Sequence, residues 1–111
     1  MALSSQRHDA FIGRWRVFHD GHKAMIRKVW KANGRPVFIM VMDTDEEPDA
    51  CWRVYEIVQW LQGEGIDGRA TIIPAVASVN YGRAVGYEIN HIALDPETEA
   101  ISATKLLAEA R

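Results

Sequence analysis

His19 and His22 stand three residues apart in the tetrad His19-Asp20-Gly21-His22. At the start of a helix, that spacing brings two imidazoles to one side of the first turn. The unpaired N–H groups and positive dipole end of such a turn attract anions. Gly21 has no side chain, so a phosphate oxygen can approach the backbone there. Toward the other end of the chain, Ile101-Ser102-Ala103-Thr104-Lys105 also opens a helical pattern. Ser102 and Thr104 offer hydroxyls, and Lys105 adds a mobile positive charge. The two segments read as halves of one polyphosphate site, with Arg14 and Arg16 placed to meet further phosphate groups. Arg83, in a Gly-punctuated loop, is a candidate contact for a second substrate. The same residue types have plainer uses. Ser102 and Thr104 are ordinary helix caps, and either histidine can cap α-helical N–H groups. Two imidazoles at this spacing can also share a metal ion, given a third ligand from His8, His91, Cys51 or a distant carboxylate.

The surrounding pattern supplies elements to position these groups. Phe11 to Trp15 reads as a short buried strand, and the helix after it has an apolar face of Ala24, Met25, Val29 and Trp30. Asn33-Gly34 ends that helix with a left-handed turn signal. Val37 to Met42 is apolar at every position, as suits a parallel strand covered on both faces. The acidic loop from Asp43 to Asp49 leads through Pro48 into a second helix from about Asp49 to Gln62. Trp52, Tyr55, Ile57, Val58 and Leu61 are expected on its buried side, and Gly63-Glu64-Gly65 stops it. Ala70 to Pro74 is a third strand, Val85 to Leu94 a fourth, and a last helix starts around Ser102. This alternation predicts an α/β fold: a small Rossmann-like three-layer sandwich with a mostly parallel sheet of four or five strands. In such sheets ligands bind beyond the carboxyl ends of strands, where the His19–His22 tetrad falls.

Composition sets the outer bounds. With 111 residues, the chain holds one domain, expected over 8–111. A net charge of −2 argues against broad nucleic-acid binding. The single cysteine, Cys51, cannot form an internal disulfide, and no apolar run reaches the length of a membrane span, so a cytoplasmic location is expected.

Gly13-Arg14-Trp15-Arg16-Val17-Phe18-His19-Asp20-Gly21-His22 resembles the opening of the cytidylyltransferase-like nucleotidyltransferases, whose first signature is (H/T)-x-G-H after strand one. Ile101-Ser102-Ala103-Thr104-Lys105 resembles their second, I-S-S-T-x-x-R. Tyr81-Gly82-Arg83-Ala84-Val85-Gly86-Tyr87-Glu88-Ile89 is similar to short members of this group. The resemblance implies transfer of CMP or AMP from CTP or ATP, with Mg²⁺, to a small phosphorylated acceptor, releasing pyrophosphate. It implies catalytic roles for His19, His22 and Lys105. Nucleotide contacts would come from Gly13, Arg14, Gly21, Arg53, Ser102 and Thr104, and acceptor contacts from Arg16 and Arg83. Charge and the lack of a long apolar run predict no nucleic-acid or membrane partner. Gly21 fits phosphate better than a metal pair does, so no metal site is expected, and family analogy makes a homodimer possible. Four positions depart from the family pattern: Leu107 for a basic residue, Ala103 for Ser, Trp52 for Glu and Val17 for Pro. Leu107 and Trp52 favour the alternative, a nucleotide-binding or interaction module that keeps the fold and has lost the chemistry.

Overall fold

The continuous apolar run is the central strand of a parallel sheet. A computed structural model describes residues 6–82 and 86–90. In chain order the elements are β1 (Asp9–Gly13), α1 (Asp20–Asn33), β2 (Val37–Asp43), α2 (Ala50–Glu64) and β3 (Gly68–Pro74). All strand pairs are parallel and the spatial order is β1-β2-β3. Phe11, Ile39 and Ala70 stand in one cross-strand row, as do Ile12, Met40 and Thr71. Among the described residues the sheet therefore has three strands, not four or five. Gly86 to Asn90, inside the expected fourth strand, is not in a strand. Its alternation finds no partner there, and Tyr87 and Ile89 are exposed. The rest of that segment, and the expected last helix, lie outside the described residues.

Strand period two separates the sheet faces. Val37, Ile39 and Val41 are fully buried, whereas Phe38, Met40 and Met42 are half-buried or less exposed on the other face. The buried row packs with Phe11, Ile26, Ile57, Leu61 and Ile66 in one core, flanked by Met25, Val29 and Trp30. Both helices end at a glycine in the left-handed region, Gly34 and Gly65, where a Cβ would be strained.

The end of β1 and the buried face of α2 differ from the expectations. β1 ends at Gly13 because Trp15 adopts φ 55°, a left-handed backbone that no strand continues through. On α2 the buried stripe is Ala50, Arg53, Ile57 and Leu61, with Trp52 and Tyr55 exposed. At about 100° per residue, Trp52 falls away from this stripe. Spacing, not residue size, chose the buried face.

Candidate functional site

Two connections meet beyond the carboxyl ends of β1 and β2: residues 14–19 and 44–49. The first is built around Trp15. Trp15 is 4% exposed, and its Nε1–H donates to the Met40 carbonyl at 3.0 Å, across to β2. Gly13 makes room for that ring, since a Cβ there would sit 3.0 Å from Trp15 Cε2. Gly13 thus admits an indole to the turn. A bulky residue at positive φ costs of order 1–3 kcal/mol and is held only by surroundings that over-determine it. Trp15 packs edge-on against Phe18 at 6.4 Å and against His22 at 4.8 Å between ring centres. Strain, burial and an indole hydrogen bond together orient the next residues.

Those residues are the two histidines, and they cap α1 reciprocally. His19 is the N-cap, its Nδ1 accepting from the Gly21 N–H at 3.0 Å and the His22 N–H at 3.4 Å. The His19 N–H donates in return to His22 Nδ1 at 3.4 Å. A capping box normally uses Ser or Thr with Glu or Gln; here both side chains are imidazoles, stacked at 3.8 Å with planes 15° apart. Because each Nδ1 accepts, each neutral ring carries its proton on Nε2. Burial pushes His22 down from the ordinary 6.5 to about 4, and the His19 ring adds to the effect, while a Val17 backbone contact opposes it. Burial also lowers His19, against the opposing pull of Asp20. Both rings are thus neutral at ordinary pH, and the His22 ring N–H meets the Val17 backbone.

This corrects the expected role of the Gly21 amide. Gly21 is buried and its N–H is already bonded to His19, so the imidazoles occupy the helix start expected to be an open phosphate cradle.

The second connection is acidic and ends on Asp49, whose carboxylate caps α2 by accepting from the Trp52 N–H at 2.9 Å. Beneath both connections lies Arg53, fully buried. Its Nε donates to the Pro48 carbonyl at 2.8 Å, its Nη1 to the carbonyls of Arg14 and, at 3.2 Å, Met42, and its Nη2 to Thr44 Oγ1 at 3.4 Å. Arg53 is therefore a buckle between the two loops and not a nucleotide contact, because its donors are turned inward to protein acceptors. The signal for this was its place in the buried stripe of α2. Above it, Arg14 and Arg16 both pair with Glu46.

The structure thus brings together Gly13, Arg14, Arg16, His19, Gly21 and His22, with Arg53 underneath. Arg83, Ser102, Thr104 and Lys105 lie outside the described residues, as does His91. Trp15 and Glu46 belong to the site's framework although sequence reasoning did not assign them a role; the Gly13–Trp15 juxtaposition was the one available signal for the first. Among the described residues, no three His, Cys, Asp or Glu side chains gather as a metal site, and no helix is long and apolar enough to cross a membrane.

No family model, curated protein or solved structure matches this chain. The likeness to nucleotidyltransferases rests on the quoted segments alone.

Proposed function

We propose that the chain is a small nucleotidyltransferase that moves CMP or AMP from CTP or ATP to a phosphorylated acceptor. The observation that carries this reading is the stacked, mutually capping and neutral His19–His22 pair at the carboxyl end of a parallel sheet. Such a pair, fixed by its own caps, is suited to the oxygens of a triphosphate without reorganising during reaction. An acceptor phosphate oxygen attacks the α-phosphorus, the bond to the bridging oxygen breaks, and pyrophosphate leaves with that electron pair. No covalent enzyme intermediate is formed, so the protein's work is positioning and charge stabilisation.

His19 and His22 donate to the α- and β-phosphates, and Arg14 and Arg16 serve outer or acceptor phosphates. Ser102, Thr104, Lys105 and Arg83 are assigned to the same site by resemblance. Mg²⁺, entering with the triphosphate, would neutralise phosphate charge. The proposed architecture is a small Rossmann-like three-layer sandwich, with which the three-stranded parallel sheet and two helices are compatible.

A pyrophosphate-release assay with CTP or ATP over a panel of phosphorylated alcohols tests the reading. His22→Ala is expected to cut release at least about a hundredfold while the chain stays folded. Wild-type turnover in that variant refutes the assignment. The departure at Leu107 favours a second reading, binding without transfer, which predicts calorimetric heat with nucleotide but no pyrophosphate under any acceptor.

A further inference from the structure

Glu46, in the connection before α2, lies between the two arginines of the connection before α1. Its Oε1 is 3.3 Å from Arg14 Nη1 and its Oε2 is 2.8 Å from Arg16 Nε. The two contacts are unequal in quality. Arg14 is more than half exposed, and its hydrogen bond to Glu46 is long. Arg16 is closer, yet its Nε is buried and its N–H makes no hydrogen bond, because the carboxylate lies off the donor's line. A buried donor left unmade carries a free-energy cost, so the resting arrangement does not satisfy Arg16. A phosphate group has more charge than a carboxylate, and three oxygens that can serve two guanidiniums in their preferred forked geometry.

We propose that Arg14 and Arg16 form a subsite for a condensed phosphate or phosphate monoester, and that Glu46 is its resting occupant, displaced when the phosphate binds. This rests on the reading of the carboxyl end as a polyphosphate site. Displacement costs little, because partly exposed ion pairs of this kind are individually weak. Arg53 anchors the backbone of both connections from below, so Glu46 leaves by a side-chain swing while the loops stay in place. Glu46 then acts as a filter. A singly charged carboxylate ligand gains nothing by exchange, whereas a phosphate does.

The test is calorimetric titration of the full chain with inorganic tripolyphosphate at low salt. Glu46→Gln keeps the shape and drops the competing charge, and is expected to tighten binding about three- to tenfold. Glu46→Asp retracts the carboxylate by one carbon and is expected to tighten it less. Adding Arg16→Gln to Glu46→Gln is expected to abolish the gain. Unchanged or weaker binding in Glu46→Gln overturns the proposal, as does an Arg16→Gln variant that binds as well as its parent, or a chain that binds no tripolyphosphate. Tripolyphosphate carries no nucleoside, so the outcome is separate from nucleotidyl transfer. A chain that releases no pyrophosphate yet gains affinity in Glu46→Gln keeps the subsite, and one that releases it without that gain loses the subsite.

Discussion

The starts of α1 and α2 solve one problem with different chemistry. α2 begins as a stable helix usually does: Asp49 caps it with a carboxylate that complements the helix dipole. α1 begins on His19, a residue outside the favoured set of caps, answered by His22 and walled by Trp15 and Phe18. The approach to α1 has titratable rings, positive φ at Trp15 and a lowered imidazole pKa, while the approach to α2 is an acidic loop. Stability alone favours the Asp49 solution at both places. The departure from it at α1 is where the candidate chemistry lies, as expected when a local rule is broken at a functional site.

Arg53 holds both helix starts in one frame, so removing it tests the comparison most severely. Arg53→Met strands carbonyls on both connections and is expected to destabilise the chain by about 3 kcal/mol or more, measured by urea unfolding. A loss below about 1 kcal/mol disproves the buckle.

The titration of the histidine cap of α1 is the next test. In the unfolded chain His22 has the ordinary value near 6.5, and in the fold about 4. As pH falls, the unfolded chain takes up this proton first. The contribution of His22 to stability is therefore complete above about pH 6.5, declines below it, and levels off near pH 4. Allowing for partial exposure, the loss is on the order of 2 kcal/mol. Unfolding curves across that range check it, and His22→Ala is expected to flatten the slope.

The smallest effect separates cap quality from function. Exchanging the caps one at a time, His19→Asp is expected to raise stability by up to about 1 kcal/mol, and Asp49→His to lower it by a similar amount. His19→Asp is also expected to weaken tripolyphosphate binding, because a carboxylate then faces the anion. Unchanged affinity in that variant removes His19 from the site.

Local patterns in the sequence were enough for much of this molecule. The run from Val37 to Met42 identified the central strand, Asn33-Gly34 the end of α1, and the His19–His22 tetrad the start of a helix after β1. These are properties of neighbours along the chain, set by period, steric freedom and capping. What needed three dimensions was the direction of side chains with two possible loyalties. Arg53 resembled a ligand contact until the stripe of α2 turned it into the core. Trp52 and Tyr55 resembled core until the same stripe left them outside. The Gly21 amide resembled an open cradle until the His19 ring closed on it. Glu46 was one charge among several in an acidic loop until folding set it between two arginines from another connection. Residue type determined which partners each group could accept; only the convergence of distant segments decided which partner it had, because hydrogen bonds and ion pairs act over a few ångströms in space and are indifferent to separation along the chain.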